Sequence, residues 1–322
     1  MDYERLASEL VRALRGRRSQ PAFSRRLGYR SNVVYTWESG RGFPTAAGAL
    51  RAAKRAGVDL LAAFGGFYRS GSSTPPPWLV GLAPDSPEAV AAFLQDLRGH
   101  TRIVDLAAYS GKSRFAIARW MKGETEPKLP DFLLMVECCS LRLIDFLEQL
   151  VDPSRLDSVR ARYARLTAAR RLAYDAPWTQ AILRALELED YRAAPHRPGW
   201  LAAKIGVDVA TEEQALAQLA EAGQIRWDGE RYRPAEVLAL DTRADPQAAL
   251  RLKTWWGQLA LDRVGAGSRG MVYNLFGVSG ADLERLRQLQ RAYFNEVRTI
   301  VAQSEPVEHV ALAAVLLVDL GD

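Results

Sequence analysis

Apolar positions recur with helical spacing through the first half of the chain, and they do so twice. Leu10 and Leu14 mark one face of an amphipathic helix. Gln20–Leu27 keeps helical spacing and stops at Gly28, and Ser31 is placed to cap a short helix that runs through Glu38 and ends at Gly40. Phe23, Leu27, Val34 and Trp37 are the core partners this spacing predicts, and Leu50, Ala53 and Val58 supply a closing helix after Pro44. The pattern then repeats at a constant offset: Gly28, Trp37, Gly40, Pro44 and Leu50 recur as Gly111, Trp120, Gly123, Pro127 and Leu133. Two short helices joined by a turn containing Gly form a helix-turn-helix unit, the motif that presents its second helix to a DNA major groove.

From Pro177 the pattern changes. Helices are predicted over Trp178–Leu188, Trp200–Ile205 and Glu212–Ala222, followed by a hairpin of Ile225–Trp227 and Arg231–Arg233 around Asp228-Gly229. Three helices followed by a hairpin describe a winged-helix arrangement. Beyond it the spacing predicts a helix over Pro246–Val264, a strand over Met271–Val278, a helix over Ala281–Ala302 capped by Ser279, and a last strand over Val307–Val318. The expected fold class is mainly α: two tandem five-helix helix-turn-helix domains, then a winged-helix-like α+β C-terminal region. The boundaries read as 1–70 and 88–152 for the two helical domains, 71–87 for a Pro-rich linker, 153–172 for a basic connector, 173–240 for the winged unit and 241–322 for an effector or dimerisation domain.

The stretch Ser31–Pro44, Ser-Asn-Val-Val-Tyr-Thr-Trp-Glu-Ser-Gly-Arg-Gly-Phe-Pro, resembles the Cro/phage-repressor class of helix-turn-helix domains, the XRE class, and the resemblance covers residues 5–64. It implies sequence-specific binding of double-stranded DNA by a transcription regulator of the repressor type. The residue opening the second helix and the exposed face of the third touch bases in that class; the matching positions here are Gln20, Ser31, Asn32 and Thr36, with Arg30 and Tyr35 beside them and Arg25 and Arg41 as further basic contacts. The side chains suit the task, since Gln and Asn pair bidentately with adenine, Arg with guanine or phosphate, and Ser or Thr with several base edges. Backbone amides at the start of the second helix are a further phosphate contact. Met271–Ser279, the helix after it and the final Val-rich strand resemble the C-terminal domain of a bacterial regulator family with an uncharacterised effector domain, most of whose members carry a single DNA-binding segment.

Charge separates the two copies. Residues 1–75 hold 13 Lys or Arg against 5 Asp or Glu, a net of +8 in a chain whose total is +5. That is the footprint expected of a duplex-binding face. Residues 85–150 hold 8 basic against 10 acidic residues, and Ile103 and Phe115 replace the amides Gln20 and Asn32. Lys112, Ser113, Arg114 and Arg119 form a possible second DNA contact there; otherwise the copy serves packing or dimerisation. Residues 173–322, with 16 basic and 21 acidic residues, are expected to pack, dimerise or sense an effector rather than bind DNA.

Two segments join these parts. The stretch Gly65–Pro87, with Pro75-Pro76-Pro77, predicts a stiff spacer that holds the two helical units apart or at a set angle, with Trp78 docked on a domain surface. The stretch Ser154–Arg171 carries six arginines against Asp157 and is read equally as a phosphate-following helix or as a solvated helix or partner of the acidic C-terminal half.

Other chemistry is sparse. The most apolar run, Val310–Val318, is too short for a helical span, the first residues carry no secretory pattern, and a cytoplasmic, nucleoid-associated homodimer without membrane contact is expected. Cys138 and Cys139 are adjacent on a predicted helix, so they point about 100° apart and read as buried thiols rather than a disulfide. His100, His196 and His309 lie without metal-ligand spacing. Gly111-Lys112-Ser113 lacks the earlier glycine of a phosphate loop, and Gly265–Gly270 reads as a flexible turn. No nucleophile, base and orienting acid can be grouped, so neither catalysis nor a cofactor is expected. The rival readings are a protein-interaction adaptor built on the helical repeats and, more remotely, a nucleic-acid enzyme.

Overall fold

The computed structural model describes residues 1–68, 76–99, 101–235, 245–267, 270–272, 274–302 and 304–320. The protein is mainly helical, with a small two-stranded sheet. Its described residues divide into two compact units, 1–167 and 168–235 with 245–320, and the break at 167 falls inside a helix.

In the first unit, α1 (Tyr3–Arg15) starts where Asp2 accepts from the amides of Glu4 and Arg5, and it buries Leu6, Leu10 and Leu14 on one face. Then follow α2 (Gln20–Arg26), α3 (Val33–Glu38), α4 (Ala46–Ala56) and α5 (Leu60–Tyr68). A second series is α6 (Pro87–Arg98), α7 (Ile103–Ser110), α8 (Arg114–Met121), α9 (Leu129–Ser140) and α10 (Leu143–Glu148). Three of its helices keep the offset of the sequence repeat: α7 opens at Ile103 as α2 does at Gln20, α9 at Leu129 as α4 does at Ala46, and α10 at Leu143 as α5 does at Leu60. One expectation is corrected: Asn32, not Ser31, caps α3. Its Oδ1 accepts from the Tyr35 amide at 3.4 Å and from Ser24 Oγ at 3.2 Å. The helix therefore begins at Val33.

The Pro-rich segment does not hold the two series apart. They share a core in which Phe64 and Phe67 of α5 meet Phe93 of α6 at 5.0 and 5.6 Å, and Phe93 stacks on Phe146 of α10 at 5.6 Å. Trp78, in a 3₁₀ turn at Pro77–Leu79, joins this cluster at 5.2 Å from Phe64 and donates its indole N–H to the Tyr68 hydroxyl. Each fully buried ring contributes roughly 1.5–3 kcal/mol by leaving water, so docking outweighs the tendency of prolines to extend the chain. Residues 69–75 of the predicted linker lie outside the described residues.

The two series also meet along their backbones. The Ala46 amide donates to the Pro127 carbonyl at 3.0 Å, the Leu129 amide donates to the Pro44 carbonyl at 2.9 Å, and Thr45 faces Lys128 in an antiparallel bridge. Helix α1 packs on α9 while α6 packs on α4; α4 also touches α9, and α5 touches α10.

Helix α11 (Asp157–Asp175) begins in the first unit, with Leu156 and Val159 buried there. Along it Arg162 pairs with Glu137 at 2.6 Å, Arg160 with Asp157 and Arg171 with Asp175, while Arg155, in the 3₁₀ turn before it, pairs with Asp152. These partners are near neighbours in sequence or lie on α9, and Arg155, Arg160 and Arg171 remain exposed.

In the second unit, α12 (Trp178–Ala185), α13 (Glu189–Arg192), α14 (Trp200–Ile205) and α15 (Val209–Glu221) precede strands β1 (Ile225–Trp227) and β2 (Tyr232–Pro234). The strands pair antiparallel, Trp227 opposite Tyr232, with Asp228–Arg231 as the loop. Asp228 accepts from the amides of Glu230 and Arg231 and from Arg233, which together hold its carboxyl well below the usual range. Helices α16 (Pro246–Gly265) and α17 (Gly280–Ala302) follow. The described residues of 271–278 and 307–318 form no strand, against expectation. An apolar run with β propensity becomes a strand only where a neighbouring edge completes its hydrogen bonds, and among the described residues each run lacks that ladder. Val307 and Val310 instead pack against the core formed by Ile182, Leu186 and Leu219. The turn Gly265–Gly270 lies partly outside the described residues.

Candidate nucleic-acid interface

The short helix α3 is sided by its own spacing: Val34, Trp37 and Glu38 are buried, while Asn32, Tyr35 and Thr36 are exposed. Ser24, buried under α3, accepts from the Val34 amide at 3.2 Å and donates to Asn32, so α2 and α3 are locked at their junction. Tyr29 meets Trp37 edge-on at 5.6 Å and closes the other side. The exposed set around α3 comprises Ser31, Asn32, Tyr35, Thr36 and Arg41. The Arg41 guanidinium lies 5.4 Å from the Tyr35 ring centre, within cation–π reach. Arg25, in the last turn of α2, and Arg30, in the turn before α3, are exposed as well.

Gln20 occupies the first turn of α2 and is half-buried. Its Nε2 donates to Glu38 Oε2 at 2.7 Å. Glu38 is held in addition by Arg15 at 2.5 and 3.2 Å, with Arg12 at 3.9 Å. This buried cluster ties α1, α2 and α3 together. The sequence signal for it is slight: Glu38 is the single acid among seven arginines in residues 15–44. Because its charge is answered internally, the remaining arginines there face solvent without a nearby acid from the same segment.

The corresponding face of α7 and α8 differs. Lys112 pairs with Asp131 at 2.6 Å, Arg119 lies 3.8 Å from Glu124, and Ser113 caps α8 through the Ala116 amide. Arg114 lies 4.9 Å over the ring of Phe115, which is 68% exposed. Val104 and Tyr109 are also exposed on α7.

Cys138 and Cys139 are half-buried against the core; burial raises both thiols, that of Cys139 to about 12. Among the described residues no three His, Cys, Asp or Glu side chains are grouped to hold a metal, and no helix is long and apolar enough to cross a membrane.

Residues 164–316 are similar to a family described as a domain of unknown function (DUF4423). No curated protein and no solved structure matches the chain significantly.

Proposed function

We propose that the protein is a sequence-specific DNA-binding regulator of transcription, in which α2 and α3 form a helix-turn-helix of the XRE type and α3 reads the major groove. The observation that carries this reading is the exposed face of α3: Ser31, Asn32, Tyr35 and Thr36 stand together on a segment, residues 15–44, with seven arginines and one buried, already paired acid. Hydrogen-bonding side chains on a short rigid helix supply base readout, and surrounding arginines supply phosphate contacts and counterion release. In this reading α6–α10 are a second copy of the unit, α12–α15 with the hairpin are winged-helix-like, and residues 245–320 self-associate or take an effector. Self-association is supported by apolar side chains open to solvent in that region, among them Val272, Leu275, Leu316 and Leu320. The test is titration of the full chain with random and selected duplexes over a range of salt. Affinity is expected to fall linearly in log–log form with salt, at a slope of several phosphates. Absence of duplex binding at low salt defeats the reading.

A further inference from the structure

The hydrogen bonds between the two helical series are reciprocal. Residues 44–46 and 127–129 are equivalent under the offset of the repeat, and Ala46 to Pro127 is matched by Leu129 to Pro44 around the bridge of Thr45 with Lys128. An exchange of this kind between equivalent residues has an approximate two-fold axis midway between Thr45 and Lys128. The helix packing obeys the same axis. It turns the contact of α1 with α9 into that of α6 with α4, and it leaves the α4–α9 and α5–α10 contacts in place.

A two-fold rotation does not change height along its axis, so α3 and α8, equivalent under the repeat, stand at nearly the same level along it. We infer that one chain carries its own pair of DNA readers, α3 and α8, and that they address two unlike halves of a single asymmetric site. The inference rests on the reading of α3 given above and extends it to a partner of defined form. A symmetric pair of helix-turn-helix units on two chains demands a palindrome; this internal pair does not, because its two faces carry different side chains.

The chemistry of the second half follows from α8. At the position equivalent to Asn32 stands Phe115, and at that of Ser31 stands Arg114. An exposed aromatic ring cannot pair with adenine but does make apolar contact with a thymine methyl, and the guanidinium beside it takes guanine or phosphate. Although the second copy is net acidic, residues 98–127, which span its reading face, hold six Lys or Arg against three acids, and Arg114 stands over Phe115 while Lys112 and Arg119 lie beside Asp131 and Glu124. That local balance favours duplex over a basic protein as the occupant of the face.

The experiment selects binding sites for the full chain from a random duplex library, then repeats the selection with Asn32→Ser and with two α8 variants, Phe115→Ser and Arg114→Glu. All three side chains are exposed, and thermal melting checks that each variant is folded. The wild type is expected to select two dissimilar half-sites about one helical turn apart. Asn32→Ser should relax preference in one half only, and the α8 variants in the other half only, with Arg114→Glu weakening the full site at least tenfold. A palindrome in which Asn32→Ser relaxes both halves and the α8 variants relax neither overturns the inference while the reading of α3 stands. A single half-site indifferent to the α8 variants does the same. No selection of any duplex sinks the reading of α3 and the inference with it.

Discussion

Gln20 and Arg15 converge on one carboxylate, that of Glu38, at 2.7 and 2.5 Å, and so join α2 and α1 to the end of α3. Glu38 is buried, so its charge is stabilised by these partners rather than by water. Removing the charge leaves Arg15 without its anion in a place of restricted solvent. Glu38→Gln is therefore expected to cost about 2–3 kcal/mol of folding stability. Urea unfolding of the full chain measures this as a lowered midpoint at unchanged slope; an unmoved midpoint would show that the cluster is only decoration of the surface.

Asn32 has two tasks in this account, and they can be separated. As the cap of α3 its oxygen accepts from the Tyr35 amide. Loss of that cap in Asn32→Ala should cost about 1 kcal/mol of stability. Serine also caps helices but cannot make a bidentate pair with adenine. Asn32→Ser should therefore melt close to wild type and still lose about 1–3 kcal/mol of specific DNA affinity. If Asn32→Ser binds the selected duplex as tightly as wild type, Asn32 is a cap and nothing more.

The sequence disclosed its helices well where polarity and punctuation agree. Gln20 opens a helix at its expected place, the closing helix after Pro44 begins at Ala46, and Gly28 and Gly111, both at positive φ, follow the helices they were expected to end. What it did not disclose is how the two series meet. The pairing of Pro44–Ala46 with Pro127–Leu129 is made by backbone atoms, which leave no trace in side-chain pattern, and the prolines of residues 75–77 point toward separation rather than contact. The positions on the open face of α3 follow from the resemblance to the XRE class, and Ser31, Asn32, Tyr35 and Thr36 are exposed. The partner of Gln20 was not legible, because Glu38 looks in sequence like any acid at the end of a helix. The apolar pattern of 271–278 and 307–318 suits strands, but a pattern along one segment does not supply the neighbouring edge that a strand requires.

Phe93 lies at the meeting of α5, α6, α9 and α10 and is fully buried against Phe64, Phe67, Phe132 and Phe146. Truncation to alanine leaves a cavity shared by both series and should cost about 3–5 kcal/mol. Because the core is common, the loss cannot be confined to α6–α10. Native-state hydrogen exchange on the full chain should show amides of α1 and α4 losing protection together with those of α6 and α9 in Phe93→Ala. Loss in the second series alone would mean that the two series fold as independent units.

The thiol of Cys139 carries the pH prediction. Burial, and then the neighbouring Cys138 thiolate, push it from an ordinary value of 9.0 up to about 12. A raised value means that the folded state binds this proton more tightly than the unfolded chain does. Below pH 9 both states hold the proton and the favourable contribution is fully present. Between about 9 and 12 the unfolded chain gives up its proton while the folded one keeps it, so stability falls as pH rises across that window. Tyr3, also pushed to about 12 by burial, loses stability in an overlapping range, so the effect of the thiol must be read as a difference. The stability of wild type minus that of Cys139→Ala should be constant below pH 9 and should decline steadily toward pH 12, while alkylation of Cys139 in the folded protein at pH 9 stays far slower than in urea. A difference that stays flat from pH 8 to 11, with fast alkylation of the native protein, would place the Cys139 sulfur in contact with solvent and remove the basis of the shift.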